Sequence, residues 1–343
     1  MANQTSRVGE THLVDTLLSL GIDVRAVFAP EHGFRGEAGA GEHVSDGKDP
    51  KTGIPVLSLY GKTKKPTPEM LQGIEVIVFD IQDVGARFYT YISTLHYVLE
   101  AAAENNLKAV VLDRPNPNGH YVDGPVLEEK YTSFVGMHPI PITYGLTIGE
   151  LTGMILGEGW LASNPDVAVI PCEGYTHNTP YSPPVRPSPN LPNDHVIALY
   201  PSLCWFEGAE VSVGRGTPFP FEVIGFPECA NGSFTFTPKH IAGIAPNPPF
   251  ENKICRGFDL RQVNTEQLSQ IDLHWLLEMY NSYPDKSRFF LSSGFFDKLC
   301  GTSSIREMVI AGKSADEIRA SWQPALKQFK IKRKKYLLYP DFE

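Results

Sequence analysis

The residues of this chain best suited to chemistry stand directly after a short apolar run near the N-terminus. The run Val24–Ala29 predicts a β-strand, and Pro30 ends it because proline has no amide hydrogen to donate to a strand ladder. Glu31, His32 and Arg35 follow within five residues, among glycines that allow a sharp turn. An acid, an imidazole and a guanidinium at a strand exit are typical of the catalytic edge of an open α/β sheet.

Two later apolar runs, Ile74–Phe79 and Lys108–Leu112, end in the same way. Each precedes a cluster of acidic and other polar side chains: Asp80, Gln82 and Asp83 after the first run, and Asp113, Arg114 and Asn116 after the second. Neighbouring parallel strands lie about 5 Å apart. We therefore predict that Glu31, Asp80 or Asp83, and Asp113 share one cleft wall. The alternative is that each acid only caps a helix or pairs with a basic side chain in a loop.

Glycoside hydrolysis by two carboxylates is the chemistry that fits these acids best. One carboxyl group must protonate the leaving oxygen, while the other attacks the sugar or activates water. Strand ends about 5 to 10 Å apart suit either geometry. Glu31 is the predicted proton donor, because Pro30 and the nearby phenylalanines give it apolar surroundings. Asp83 or Asp113, surrounded by amide and arginine donors, is the predicted partner carboxylate.

Other kinds of catalytic site have weaker support in the sequence. No G-x-S-x-G nucleophile elbow occurs. His32 and the aspartates could ligate a metal, but the H-x-x-x-H and H-E-x-x-H spacings are absent, so neither a metal nor a cofactor is predicted. The run Gly36–Gly41 lacks the G-x-G-x-x-G order, and no helical pattern follows it. It is expected to form a lid or a cleft wall and not a nucleotide site.

The composition is that of an ordinary globular protein. The chain has 343 residues, of which 42% are hydrophobic and 20% charged, enough for a sizeable core and two domains. A net charge of −9 without a basic face before the C-terminus argues against nucleic acid as a partner. No stretch approaches the roughly 18 to 20 apolar residues of a membrane span. The five cysteines form no C-x-x-C pair, which predicts free thiols.

Alternating strands and helices predict a parallel sheet in the first half of the chain. Strands are predicted at Val24–Ala29, Ile54–Leu59, Ile74–Phe79, Lys108–Leu112, Asp166–Ile170 and Ala209–Thr217. Helices are predicted at Thr11–Leu20, Thr67–Leu71, Tyr91–Asn105, Leu151–Leu161, Thr265–Tyr280, Ser303–Ala311 and Ala315–Phe329. The pattern Thr147–Glu150 predicts a capping box before the fourth helix. After Pro115 the alternation of strands and helices gives way to proline-rich loops. This change predicts a domain boundary between the 120s and the 140s.

Six motifs stand in a specific order along nearly the whole chain: Pro30–Gly36, Tyr60–Pro66, Phe79–Arg87 with Tyr89–Tyr91, Leu112–Pro117, Pro187–Pro192 and Ser212–Thr217. Together they resemble the exo-β-N-acetylmuramidases of the NamZ type. The resemblance implies an α/β fold, with a Rossmann-like domain at residues 1–135 that carries the catalytic acids. A second α/β domain at residues 136–343 would complete a cleft between the two.

The resemblance also implies a function, which is the release of β-1,4-linked N-acetylmuramic acid from the non-reducing ends of peptidoglycan fragments. The acids of the family's motifs fall on Glu31, Asp80, Asp83 and Asp113. Polar residues of the same motifs are predicted to bind the saccharide: His32, Arg35, Gln82, Tyr91, Arg114, Asn116 and Arg215. An arginine among them is expected to bind the lactyl carboxylate through two parallel hydrogen bonds. The alternative function is that of a non-catalytic muropeptide- or sugar-binding protein.

The chain departs from this family at its N-terminus. Members that resemble it carry a strand before the motif Asn3–Thr5, and usually an export signal before that strand. Met1 stands at the motif here, so we expect the first strand of the sheet to be missing. Family habit suggests the cell envelope or periplasm, whereas the chain as given has a polar start and no signal peptide, which predicts the cytoplasm.

Overall fold

The computed structural model describes residues 1–31, 33–35, 46–61, 63–266 and 268–343. The described strands are short and occur in the order β1 Arg7–Val8, β2 Thr11–His12, β3 Val27–Ala29, β4 Gly47–Lys48, β5 Pro55–Ser58, β6 Val76–Phe79, β7 Lys108–Leu112, β8 Asp166–Ile170, β9 Val223–Phe226, β10 Phe234–Phe236 and β11 Cys255–Asp259. The described α-helices are α1 Leu13–Ser19, α2 Tyr91–Glu104, α3 Ile148–Gly157, α4 Asp194–Leu203, α5 His274–Ser282, α6 Phe295–Cys300, α7 Ser304–Ile310 and α8 Ala315–Arg333.

The first part of the chain forms a parallel sheet. β3 pairs with β5, and β6, β7 and β8 pair in that order, all in parallel, while β4 lies antiparallel on the outer side of β5. Met1 and Ala2 lie between these two pieces. Ala2 N donates to Phe28 O at 3.2 Å, and Asp80 N donates to Met1 O at 3.1 Å. In this structure two residues therefore occupy the position of the first strand, and the α/β fold with its parallel sheet is confirmed.

Helices α2 and α3 pack on this sheet. The buried face of α2, which includes Ile92, Leu95 and Leu99, belongs to the same hydrophobic core as Phe79 and Val111 of the sheet. The strands are mostly apolar, although β7 begins with lysine and β8 with aspartate. The residues that directly follow β3, β6 and β7 are thereby held at one edge of the sheet.

The second part of the chain combines a small antiparallel sheet, in the order β10-β11-β9, with helices α4 to α8. Its apolar side chains continue the core of the first part as one cluster, so the two parts are packed against each other. The domain boundary at residue 135 stays a prediction. β8, at Asp166–Ile170, still pairs with β7 of the parallel sheet.

Arg87 joins the two parts through hydrogen bonds. Its side chain is fully buried, and the guanidinium donates to four carbonyl oxygens at 2.6 to 3.0 Å: those of Pro125, Ile140, Leu299 and Cys300. The last two belong to the C-terminal end of α6, which lies more than 200 residues further along the chain. Burial lowers the pKa of Arg87 to about 10.

Most of the predicted elements are confirmed to within a few residues, and the capping box at Thr147 and Glu150 is present. Three predictions are wrong. Residues 67–71 form a turn, because Leu71 N shares its hydrogen bond between two carbonyls and Gly73 follows at a φ of 76°. Residues 209–217 contain only isolated bridges. α5 begins at His274 and not at residue 265, because Ile271 N donates to the side chain of Asp123.

Two further predictions concern the cysteines and the helices. All five cysteines lie in the described part of the chain and are free thiols, as predicted. Burial raises the pKa of each, to about 11 for Cys172 and about 12 for Cys255. None of the described helices has the length and apolar character that a bilayer crossing requires.

Candidate active site

A cavity of about 730 Å³ lies where the parallel sheet meets the second part of the chain. We call it the Glu31 cavity. Glu31, Tyr60 and Thr90 line it from the side of the sheet, and Glu207 and Arg215 line it from the second part. This volume lies within the usual range for small-molecule sites. The predicted cleft between the two parts is therefore present.

Glu31 follows β3 in the chain, and its carboxylate is held by two hydroxyl groups. Tyr60 Oη donates to Oε1 at 2.9 Å, and Thr90 Oγ1 donates to Oε2 at 3.0 Å. Tyr91 Oη donates to the backbone oxygen of Glu31 at 3.2 Å. The side chain is thus fixed in the wall of the cavity by residues from two other segments.

Those two segments are positioned by the fold. Tyr60 stands just after β5, the strand that pairs with β3, and Tyr91 begins α2. Tyr91 is buried, and its hydroxyl also accepts a hydrogen bond from Asn3 Nδ2 at 3.0 Å. The Tyr89 ring meets it edge-on at 4.8 Å. Tyr91, predicted to bind substrate, is absent from the described cavity lining and supports Glu31 from behind.

Asp80 and Arg114 form an ion pair outside the described lining of the Glu31 cavity. Arg114 Nε lies 2.6 Å from Asp80 Oδ1, and both side chains are largely buried. A buried guanidinium needs such a partner, because desolvating an unpaired charge is costly. The two charges therefore neutralise each other, and the structure shows neither residue in a position to contact a saccharide in the cavity.

Asp83 is buried beneath the sheet edge. Its Oδ2 accepts hydrogen bonds from Gly85 N at 2.7 Å and from the Tyr144 hydroxyl, while its Oδ1 has no hydrogen-bond partner. Burial raises the pKa of Asp83 to about 6, although both hydrogen bonds oppose that shift. The residue does not line the Glu31 cavity.

The replacement Asp83→Asn is expected to change how stability depends on pH. Because the pKa is raised in the folded state, Asp83 holds its proton more tightly there than in the unfolded chain, where the pKa is about 4. This contribution is fully present below about pH 4 and is lost as the pH rises through about 6, by on the order of 3 kcal/mol. The asparagine variant should lack that loss. Urea unfolding of both proteins at pH 4 and pH 7 measures it, and a stability difference that is the same at both pH values would contradict it.

Asp113 fixes the start of α3. Its carboxylate accepts hydrogen bonds from Thr147 Oγ1 at 2.7 Å, from Gly149 N at 2.7 Å and from the Tyr339 hydroxyl at 2.6 Å. Burial raises its pKa, and these donors oppose the shift. The residue thereby ties β7 to a helix terminus and to the C-terminal segment, which is the role of a cap and not of a lining acid.

The side chains of Gln82 and Asn116 form hydrogen bonds to neighbouring loops. Gln82 Nε2 donates to the backbone oxygen of Pro115 at 2.8 Å, and its Oε1 accepts from the Tyr181 hydroxyl at 3.0 Å. Asn116 Nδ2 donates to Leu146 O at 2.9 Å. Both residues are absent from the described lining of the Glu31 cavity, so their contacts are structural.

The remaining predicted binding residues fall into different places. Arg35 forms a two-point ion pair with Asp49, at 2.9 and 2.8 Å, outside the described lining of the Glu31 cavity. His32 lies outside the described residues. Arg215 lines the cavity, and its Nε lies 2.5 Å from Glu207 Oε1.

The glycines on either side of Arg215 set its backbone. Gly214 and Gly216 adopt φ values of 78° and 80°, and a Cβ at either position would lie 2.4 Å from a carbonyl oxygen. Only glycine tolerates that combination without strain. The Gly-Arg-Gly backbone thus places Arg215 in the cavity wall, and its role in binding a ligand stays a prediction.

Two family models together match almost the entire chain. The model described as Exo-beta-N-acetylmuramidase NamZ, N-terminal, matches residues 1–195, and the corresponding C-terminal model matches residues 198–339. The chain belongs to the NamZ family. The family predicted from the motifs is thus confirmed.

Known relatives extend this finding. The NamZ-family chain is 42% identical over 335 residues to the peptidoglycan beta-N-acetylmuramidase NamZ of Bacillus subtilis (strain 168). The aligned region covers 93% of this chain and 80% of the relative. A crystal structure of a DUF1343 family protein from Bacteroides fragilis NCTC 9343 has a TM-score of 0.91 at 48% identity, covering 99% of this chain and 93% of that one. A second such protein from the same strain has a TM-score of 0.82 at 30% identity, covering 98% and 92%.

The described lining of the cavity in this NamZ-family chain does not contain the predicted set of Glu31, Asp80 or Asp83, and Asp113. Of Glu31, Asp80, Asp83 and Asp113, only Glu31 is part of it, although all four follow strands as expected. Their catalytic roles stay predictions. Among the described residues, no three His, Cys, Asp or Glu side chains come together as a metal site requires.

Sequence reasoning missed several residues that line the cavity: Tyr60, Lys64, Thr90 and Glu207. The first three lie in motifs that carried the family resemblance, but other residues of those motifs were singled out as the site. Glu207 had a weaker signal. It is the only charged residue of the short 3-10 helix Cys204–Gly208, whose other residues are apolar.

Proposed function

We propose that this NamZ-family chain is an exo-acting glycoside hydrolase that releases β-1,4-linked N-acetylmuramic acid from the non-reducing ends of peptidoglycan fragments. The observation that carries the proposal is a strand-end carboxylate, Glu31, held by two hydroxyl donors in the wall of a cavity of about 730 Å³. The 42% identity to a peptidoglycan beta-N-acetylmuramidase supports the choice of saccharide.

Glu31 acts as the proton donor in this proposal. As the bond between the sugar's anomeric carbon and the bridging oxygen breaks, Glu31 gives its proton to that oxygen, which leaves as a hydroxyl group. The hydroxyls of Tyr60 and Thr90 keep the carboxyl group aimed at one point of the cavity. Fixing the donor in this way lowers the entropic cost of reaching the transition state.

The second carboxylate of the reaction is proposed to be Glu207. It is the other acid among the described lining residues, and Arg215 beside it offsets its charge and fixes its orientation. Asp83 and Asp113 are less well placed for this role, because their carboxylates are engaged in buried hydrogen bonds away from the cavity. A carboxylate on the far side of the sugar ring can attack it or activate water.

Aromatic rings supply the rest of the binding surface. Tyr89, Phe134 and Phe221 line the cavity together with the acids. Tyr89 and Phe221 are buried in the wall, so they give the cavity an apolar, rigid boundary at a low entropic cost. The cavity is thus suited to one sugar unit whose glycosidic oxygen points at Glu31.

Hydrolysis of a chromogenic N-acetyl-β-muramide and of a muropeptide disaccharide tests the function. We expect the wild-type protein to release nitrophenol from the first and free N-acetylmuramic acid from the second, as detected by mass spectrometry. Binding of the saccharide without release would favour the alternative, a non-catalytic sugar-binding protein. The proposal is overturned if the protein neither binds the saccharide nor releases a product from it.

A further inference from the structure

The charged side chains that line the Glu31 cavity do not all have partners within it. Among its described residues there are two acids, Glu31 and Glu207, and two cations, Lys64 and Arg215. Arg215 is already paired, with its Nε 2.5 Å from Glu207 Oε1. None of the ion pairs between described residues involves Lys64, whereas its neighbour Lys65 pairs with Glu100 and Glu104.

The ammonium group of Lys64 is held in place by an aromatic ring. It lies over the face of Phe134, 4.1 Å from the ring centroid. Phe134 is itself fixed, because its ring stacks on that of Tyr97 with an interplanar angle of 14° and its backbone oxygen accepts a hydrogen bond from Ser93 Oγ at 2.8 Å. Lys64 therefore presents a half-buried positive charge to the cavity at a defined position.

The same segment carries a group that holds Glu31. Tyr60, whose hydroxyl bonds the Glu31 carboxylate, stands four residues before Lys64. The residue that holds the proposed proton donor is thus near in sequence to an ammonium group that no described carboxylate neutralises. A bound ligand with a carboxylate would supply the missing negative charge in a site where water is largely displaced.

We infer that Lys64 binds the lactyl carboxylate of N-acetylmuramic acid and is the residue that makes the cavity prefer muramic acid over N-acetylglucosamine. The inference rests on the proposed function and makes it more specific. The two sugars differ only in the lactyl ether on O3, which carries the carboxylate. The arginines predicted for this contact are less suited to it, because Arg35 pairs with Asp49, Arg114 with Asp80 and Arg215 with Glu207.

The test compares Lys64→Met with the wild-type protein on 4-nitrophenyl N-acetyl-β-muramide and on its lactyl methyl ester, which lacks the charge. Loss of a charge-assisted hydrogen bond should lower kcat/KM for the free acid by about 10- to 100-fold, mainly through KM. The wild-type protein should lose a similar factor on the methyl ester. Lys64→Met should distinguish the acid from the ester by less than about 3-fold, because the two losses share one interaction.

Lys65→Met is the matched control, since it removes the same charge from the adjacent residue outside the described lining. It should retain the wild-type kcat/KM on both substrates. The inference is overturned if Lys64→Met still prefers the acid over the ester as strongly as the wild-type protein does.

Binding of the free sugars separates this inference from the proposed function. If the wild-type protein releases no nitrophenol, calorimetry with N-acetylmuramic acid still decides. Binding that is at least 10-fold weaker in Lys64→Met, with unchanged binding of N-acetylglucosamine, would support the role of Lys64 although the hydrolase proposal fails. Equal binding of N-acetylmuramic acid by both proteins, or no binding by either, would overturn the inference.

Discussion

Replacing Glu31 with glutamine is expected to lower kcat/KM for a β-1,4-linked muramic acid disaccharide by about 10²- to 10⁴-fold, the usual contribution of a general acid. Glutamine keeps the shape of the side chain and can still meet the hydroxyls of Tyr60 and Thr90, which hold the carboxylate at 2.9 and 3.0 Å. The loss of kcat/KM would therefore come from the missing proton and not from a change in the shape of the cavity. Steady-state kinetics with the purified variant, whose melting temperature should be unchanged, measures the effect.

The size of this loss should depend on the leaving group. A sugar hydroxyl is a poor leaving group and needs the proton, whereas nitrophenolate departs readily without one. Glu31→Gln should thus lose at least about 10-fold less on the chromogenic muramide than on the disaccharide. Glu69→Gln, at an exposed position outside the described lining, is the matched control and should behave as wild type. Full activity of Glu31→Gln on the disaccharide would show that Glu31 is not the proton donor.

Arg87→Met is expected to destabilise the fold by about 4 kcal/mol or more. The substitution keeps most of the side-chain volume but leaves the buried carbonyl oxygens of Pro125, Leu299 and Cys300 without a donor, while Ile140 O keeps only its bond from Leu127 N. Each unsatisfied buried group costs about 1 to 3 kcal/mol. Since a whole domain is stable by only about 5 to 15 kcal/mol, the variant should unfold at a much lower urea concentration or accumulate as insoluble protein. Urea unfolding followed by tryptophan fluorescence measures the change.

A surface arginine provides the comparison for Arg87. Arg261 forms a two-point ion pair with Asp259, but both side chains are about one third exposed. Arg261→Met should cost no more than about 1 kcal/mol. Arg87→Lys should fall between the two, because one ammonium group has three donors and cannot span carbonyls on two sides. Equal urea midpoints for Arg87→Met and Arg261→Met would show that the buried hydrogen bonds contribute little.

The strands that end in acids could be predicted from the sequence because that signal is local. An apolar run followed by proline or aspartate predicts both the strand and its end, and β3, β6 and β7 lie where such runs predicted them. Which of these acids faces the cavity is decided by partners far away in the chain. Asp113 bonds Tyr339, 226 residues later, and Asp83 bonds Tyr144, 61 residues later.

The same limit explains why Lys64 and Glu207 were missed. Both line the cavity because segments far apart in the chain enclose it, and no spacing within either segment encodes that arrangement. Arg215 was found because its signal is local. The glycines on both sides permit a backbone conformation that other residues avoid, and this pattern can be read directly from the sequence.

The five protonated, mostly buried thiols make this protein convenient for spectroscopic labelling. Thiol reagents attack the thiolate, and every native cysteine has its pKa raised above the ordinary value, so all five should react slowly near neutral pH. A single cysteine introduced at Asn247, an exposed residue on the cavity rim, would be the fast-reacting position without removal of any native one. A fluorophore attached there would report directly on the arrival and departure of saccharides.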